Sequence, residues 1–332
     1  MMDDVERLLG GDQRAISRMM TLLEQRDPVA ASAMREIDPH TGRAYTIGIT
    51  GPPGVGKSTI VDRLTQLLRE QGSRVGIIAV DPTSPFSGGA LLGDRIRMQR
   101  HYLDEGVFIR SVSTRGESGG LSRTVKSLVR LLDAAGCEVV LVETVGVGQT
   151  ELGVMQVADT VLVALMPESG DAIQTLKAGV MEIADIFLVN KADREGANRM
   201  AVAITAMLQT AELAADWAPP VLLTRADRGE GIPELWEQVR EHRAYLESAP
   251  PQGKLLTRLA CRRRERRRHE FREVVHEELE RRLNILIEQN PTLAERLMEI
   301  GAGEREPYSA AFEFLKDTDL LNVELPAANR RE

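Results

Sequence analysis

Three features predict an α/β fold built on a mostly parallel central sheet flanked by helices, with further helices at both ends of the chain. Strand-length apolar runs alternate with segments of helical period, the pattern of repeated strand–helix units. The first of those runs, Tyr45-Thr-Ile-Gly-Ile49, passes directly into Gly51-Pro-Pro-Gly-Val-Gly-Lys57-Ser58 and then into an amphipathic helix carrying Ile60, Leu64, Leu67 and Leu68. Loops rich in Pro, Gly and Ser follow strand ends, where open α/β sheets bind their ligands.

The chain has 332 residues, enough for one sizeable α/β domain with helical additions. Its net charge of −8 gives a nucleic-acid partner no overall electrostatic support. No apolar run approaches the roughly 18 residues of a membrane span, and the opening MMDDVERLLGG has no signal-peptide pattern, so the expectation is a cytoplasmic protein without a membrane partner. Cys137 and Cys261 are far apart and outside any metal-ligand spacing.

Taken in order, residues 3–37 carry apolar positions at helical spacing, broken at Gly10-Gly11 and Asp27-Pro28, which predicts two or three short helices packed on the next domain. The strand at 45–49 and its glycine-rich loop form a P-loop in its required setting. Gly51, Pro53, Gly54, Val55, Gly56, Lys57, Ser58 and Thr59 are the phosphate-binding candidates: tight glycine turns aim backbone N–H groups at phosphate, and the first helix turn adds its unpaired N–H groups. Lys57 is placed to reach the terminal phosphates and Ser58 to ligate Mg²⁺. A second strand, Val75 to Val80, ends in Asp81, and the loop from Pro82 to Gly93 is a candidate switch. Asp94 opens an expected helix over 94–104, a third strand covers 107–111, and a helix runs to about residue 135.

The fourth strand, Val139-Val-Leu-Val142, ends in Glu143-Thr-Val-Gly146. An acid at a buried strand end, three residues before a glycine, suits a carboxylate that holds Mg²⁺ or its water and a Gly146 N–H that faces the γ-phosphate. A strand at 161–165 leads to Pro167-Glu-Ser-Gly-Asp171 and an expected helix through Lys177. The strand Ile186-Phe-Leu-Val189 ends in Asn190-Lys191-Ala192-Asp193, where an Asp carboxylate can accept both N1–H and N2–H₂ of guanine, a donor pair that adenine lacks. After a strand at 221–223, Thr224-Arg225-Ala226 offers a backbone N–H to the guanine carbonyl oxygen, and a helix runs from about Ile232 to 247. Ser248-Ala-Pro-Pro-Gln-Gly253 has linker composition, which divides the chain into 1–43, 44–248 and 249–332. The last region reads as helices over 254–289, 291–300 and 307–316. Its basic run Arg262 to Arg268 reads as a solvated face with Glu/Arg pairing, and its apolar stripe (Phe271, Val275, Leu279, Leu283) as a dimerisation surface.

The order GPPGVGKS, Asp81 with its loop, RGESGGLS, ETVGVGQTE, PESGDAIQTLKAG and NKAD resembles the MeaB/ArgK family of P-loop GTPases, which includes the human MMAA protein, over nearly the whole chain. The resemblance implies a homodimeric GTPase of the SIMIBI class. Such proteins act as chaperones that gate adenosylcobalamin loading into a B12-dependent acyl-CoA mutase and protect or reactivate it. It further implies that Asp81, Asp94 and Glu143 serve Mg²⁺ or its waters, and that 82–94, 143–151 and 167–180 are three switches. Asp171, Gln174 and Lys177 in the third are then candidates for signalling to the mutase. In the last base loop relatives tend to have Ser before Ala, where this chain has Arg225.

Val147 follows Gly146 and cannot orient water, so intrinsic hydrolysis is expected to be slow until a partner orders the switches. Lys57, Asp94, Glu143 and Gln149 are the catalytic candidates, with Glu151 and Arg115 as further assistants. The alternatives are a metallochaperone-type GTPase, disfavoured by five scattered histidines and two cysteines, and an RNA-associated GTPase using the 262–268 run.

Overall fold

The computed structural model describes residues 2–25, 27–81, 99–113, 123–144, 153, 156–167, 181–210, 217–249 and 256–317. Seven strands form one sheet in the order β3-β2-β4-β1-β5-β6-β7. They are β1 (Tyr45–Thr50), β2 (Val75–Asp81), β3 (Val107–Ser113), β4 (Val139–Thr144), β5 (Thr160–Leu165), β6 (Ile186–Asn190) and β7 (Val221–Thr224). Every neighbouring pair is parallel. Successive strands lie on opposite sides of β1, so its carboxyl end is the point where the strand order reverses and a ligand crevice opens.

Both faces of the sheet are covered, and the period-2 alternation decides which residue goes where. Ile47, Ile49, Ile77, Leu141, Leu162 and Leu188 pack under α4 (Lys57–Glu70) and α7 (Ile232–Glu247). Their neighbours in sequence, Ile78, Val140, Val142, Val161, Val163, Phe187 and Val189, pack on the other face. There they meet α5 (Arg123–Ala134), α6 (Ala197–Thr210) and the N-terminal helices α1 (Met2–Leu9), α2 (Gln13–Glu24) and α3 (Pro28–Ile37).

The three N-terminal helices start and stop where the punctuation predicts. Asp12 and Asp27 cap α2 and α3 by accepting from the N–H groups of Ala15 and Val29. Leu8, Ile16, Met20 and Ile37 are buried in the same core as the sheet, and Arg110 of β3 holds Glu24 of α2 through two bonds of 2.7 Å. The described residues form two compact units, divided between Arg266 and Arg267.

Two sequence expectations need correction. Residues 99–104 are not the end of a helix: Gln99–His101 is a single 3₁₀ turn, and Asp104 then uses its carboxylate on Arg69 at 2.9 Å and on the Gly106 N–H at 2.8 Å, which turns the chain into β3. The basic run is only in part a solvated face: Arg264, Glu265, Arg267 and Arg268 are exposed, while Arg262, Arg263 and Arg266 are partly buried in ion pairs. It lies on α8 (Arg258–Gln289), and those three arginines serve the buried Asp159 and the partly buried Asp185 at the amino-terminal edge of the sheet. Arg263 reaches Asp159 at 2.6 Å and the carbonyls of Gly42 and Ala44 at 2.7 Å each, Arg266 also pairs with Asp159, and Arg262 lies 3.3 Å from Asp185. A surface arginine and one paired beneath the sheet look alike in sequence, because the acids they meet are about a hundred residues away. Helix α6 shows no clear helical period in sequence, because its apolar positions are diffuse over ANRMAVAITAMLQT.

Within the second unit, α8 continues to Gln289 and is followed by α9 (Pro291–Gly301) and α10 (Pro307–Asp317). Arg305 joins Glu299 to Glu313, and Glu278 accepts from Arg281 and Arg282 one helical turn on. Phe271, Leu279, Met298, Tyr308 and Phe312 are all more than half exposed.

A buried polar chain runs beneath β1 and β5. Tyr45 Oη is 2.6 Å from Thr160 Oγ1, which is 2.8 Å from His242 Nδ1, and His242 Nε2 lies 3.4 Å from Asp185. Burial pulls His242 below its ordinary value of 6.5, outweighing the opposing pull of Asp185, and Arg262 adds to the lowering. Since the folded value is depressed, the unfolded chain takes up a proton that the fold resists. The stability contributed by this group is therefore full above 6.5 and is lost as pH falls through the lower folded value. The expected result is a melting temperature that drops below about pH 6.5, with a shallower dependence in His242→Gln across a pH series of thermal melts.

Candidate nucleotide-binding site

The P-loop leaves the carboxyl end of β1 through three left-handed glycines, Gly51 (φ 138°), Gly54 (φ 76°) and Gly56 (φ 98°). Two of them have a second reason to be glycine. A Cβ on Gly51 would lie 2.0 Å from the Ala164 carbonyl oxygen of β5, and one on Gly56 would lie 2.6 Å from Asn190 Nδ2. The loop thus presses against the two strands that follow it in the sheet. Gly56 is the N-cap of α4, so Lys57 and Ser58 open the helix and both are buried. Lys57 Nζ donates to the carbonyls of Gly51 at 2.7 Å and Pro52 at 3.1 Å, which curls the ammonium over the loop. Pro53 and Thr59 keep their predicted places, in the loop and in the first turn of α4, and Val55 is fully buried.

Glu143 sits opposite Ile49 of β1 and Ala79 of β2, one residue before the end of β4. Ser58 Oγ donates to its carboxylate at 2.7 Å, so residues separated by 85 positions converge as two hard oxygen donors beside the P-loop.

Asn190 is the hub of the other half of the site. Its Nδ2 donates to Val55 O at 2.8 Å, while its Oδ1 accepts from Thr224 Oγ1 and from the Ala226 N–H at 3.1 Å each. The hub therefore ties the P-loop to the loop after β7. Lys191 is the one non-glycine residue with positive φ among the described residues (59°), a strained conformation that sends its stem across the P-loop to Gly54 O at 2.6 Å. Asp193 lies beside it, half exposed, 3.5 Å from Arg225 Nε. The N–H groups of Arg225 and Ala226 already donate, to Glu230 O at 2.9 Å and to Asn190.

Sequence reasoning missed two supports. Arg63 of α4 donates through Nε to Ala226 O at 3.2 Å and through Nη2 to Asp227 O at 2.6 Å, bracing the last loop on the P-loop helix. Gly231 allows the close turn after that loop, since a Cβ there would meet Leu223 O at 2.5 Å. The partners lie about 160 residues apart in the case of Arg63, beyond any local signal. Asp94, Arg115, Gly146, Gln149, Glu151, Asp171, Gln174 and Lys177, and the side chain of Asp81, lie outside the described residues.

This arrangement is able to cradle phosphates at a helix N-terminus, with a lysine and two oxygen donors beside it and a carboxylate able to read a purine edge at its far end. The chain's relatives agree. A Pyrococcus abyssi protein named as a GTPase is 46% identical over 319 residues, covering 94% of this chain and 95% of the relative. The Escherichia coli GTPase ArgK is 37% identical over 254 residues, 74% of this chain and 76% of its own. A solved structure described as the LAO/AO transport system kinase superposes with a TM-score of 0.73 at 28% identity, over 96% of this chain and 97% of that one. Residues 16–287 match the family described as Methylmalonyl Co-A mutase-associated GTPase MeaB. With Ser58 tying the P-loop to Glu143 and Asn190 tying it to the loops after β6 and β7, and with residues 16–287 matched, the protein belongs to the MeaB family of GTPases.

Proposed function

We propose that this GTPase is a chaperone of an adenosylcobalamin-dependent acyl-CoA mutase, methylmalonyl-CoA mutase or a close relative, gating cofactor loading and protecting or reactivating the mutase. The observation that supports the nucleotide half is the Asn190 hub, which ties the P-loop to the loop after β7. The mutase half rests on the family and on a mouse relative named Methylmalonic aciduria type A homolog, mitochondrial, 38% identical over 201 residues, 59% of this chain and 48% of its own.

The oxygen pair Ser58 and Glu143 suits Mg²⁺, which favours hard oxygen ligands and keeps several waters. When bound, the ion neutralises charge on the transferring phosphoryl group. Lys57 supplies the protein's own charge, Asp193 selects guanine, and the glycine-rich loop holds the phosphates in line. The exposed apolar residues of α8 to α10 suit a homodimer contact. Adenosylcobalamin belongs to the mutase rather than to this chain.

The test is GTP turnover by the purified protein, alone and with an equimolar panel of B12-dependent acyl-CoA mutases, with Lys57→Ala as the blank. The expected basal rate is about 10⁻⁴ to 10⁻² s⁻¹, rising at least about tenfold with one mutase and absent in the blank. Tight GTP binding with no stimulation by any mutase would remove the chaperone reading and leave the nucleotide chemistry intact.

A further inference from the structure

The loop between β7 and α7 folds back on itself at the edge of the candidate base site. Arg225 and Glu230 form an isolated antiparallel bridge, with Arg225 N–H to Glu230 O at 2.9 Å and Glu230 N–H to Arg225 O at 3.2 Å. Gly229 (φ 76°) and Gly231 (φ 80°) permit the turn. The bridge carries the Arg225 side chain back toward the NKxD loop, where its guanidinium lies between two carboxylates. Nη1 donates to Glu230 Oε2 at 3.2 Å, and Nε lies 3.5 Å from Asp193 Oδ1. The second distance is an ion pair but too long for a formed N–H···O bond. Among the described residues, that buried Nε–H has no hydrogen-bond acceptor.

A buried N–H without an acceptor is costly, and one 3.5 Å from a carboxylate oxygen needs only a small movement to be satisfied. An ionised carboxylate offers about four lone-pair positions. Guanine takes one on each oxygen of Asp193, leaving the outer position on Oδ1 to another donor.

We propose that Arg225 is a positioning residue for guanine recognition. Its Nε–H closes onto the outer lone pair of Asp193 Oδ1 when the base is held, fixing the plane in which both carboxylate oxygens face N1–H and N2–H₂. Glu230 holds the guanidinium from the other side so that it cannot swing into solvent. The role rests on the guanine reading above and adds a residue that the P-loop and NKxD patterns do not contain.

The experiment compares the affinities of the full-length chain for GDP and IDP, by competition against a fluorescent GDP analogue, in wild type, Arg225→Ser, Arg225→Gln, Arg225→Lys and Glu230→Gln. IDP keeps N1–H but lacks the 2-amino group, so it uses only one oxygen of Asp193. Loss of Arg225 should weaken GDP about three- to tenfold, the range for a charge-assisted bond discounted for partial exposure. IDP should weaken less, so the GDP-to-IDP affinity ratio falls in the Ser and Gln variants. It falls by a smaller factor in Glu230→Gln and is partly restored in Arg225→Lys. A ratio taken in one sample is independent of the folded fraction, so a loss of packing does not mimic the effect. An unchanged ratio, or tighter GDP binding on loss of Arg225, overturns the positioning role alone. A wild type that binds ADP as well as GDP overturns the guanine reading, and the role with it.

Discussion

Asp193→Asn lowers the affinity for GDP by about 10² or more, measured by titration calorimetry, and brings XDP into the site. A site built around a donor pair rejects partners that cannot supply it by factors of up to about 10⁴ to 10⁵. The Asn amide presents one acceptor and one donor, which opposes the guanine N2–H₂ and suits the C2 carbonyl of xanthine. The surroundings should survive the change, because the loop is held by Asn190, Thr224 and Arg63 rather than by Asp193. Equal weakening of GDP and XDP would mean that Asp193 does not touch the base, and the guanine assignment would fail with it.

Asp159→Ala should cost about 3 to 5 kcal/mol in chemical denaturation, the penalty of breaking a buried pair and leaving its partner charges uncompensated. Asp159 is almost fully buried where the chain enters β5. Its carboxylate accepts from Arg263 and Arg266 and from the Thr46 N–H at 3.1 Å, while its own N–H donates to Thr46 O at 2.7 Å. One side chain therefore joins β1, β5 and the first turns of α8. Burial alone would raise its pKa, but the bond from Arg263 and the charges of Arg266 and Arg263 overcome that and hold it below the ordinary 3.8. With a depressed folded value, its contribution is complete above 3.8 and is lost only as pH falls through the lower folded value. The wild type should accordingly keep this clamp through mild acid, and the variant should show its deficit at neutral pH. A shift under about 1 kcal/mol would class the cluster with exposed ion pairs.

The two substitutions probe opposite ends of the same sheet. Asp193 stands at the carboxyl ends of the strands, where the helix N-terminus and the glycine loop converge. Asp159 stands at the amino ends, where the chain uses its charges for anchoring. A basic run read from sequence as solvent-facing, with RNA as its functional rival, is divided by the fold: Arg262, Arg263 and Arg266 belong to this anchor. Such arginines have acceptors at hand and are poorly placed to grip a phosphate backbone, which weakens the RNA alternative on geometric grounds.

The sequence settled whatever depends on short-range chemistry. The P-loop was legible because strand, glycine turns, Lys57-Ser58 and amphipathic helix are contiguous, and each is demanded by backbone geometry that only those residues tolerate. The seven strands were legible because each is a short apolar run ending in a polar or small-residue loop. Glu143 and the Asn190–Asp193 stretch stood out because a polar group at the end of a buried strand is costly unless it has work to do. Tertiary structure alone decided the pairings across long separations. Asn190 meets Val55 and Ala226, Ser58 meets Glu143, Arg63 braces the last loop, and three arginines of α8 find Asp159 and Asp185. The physical reason is that a hydrogen bond or ion pair between distant residues leaves no periodicity in either segment. Its partners are brought together only when the parallel sheet stacks strands from remote parts of the chain in register.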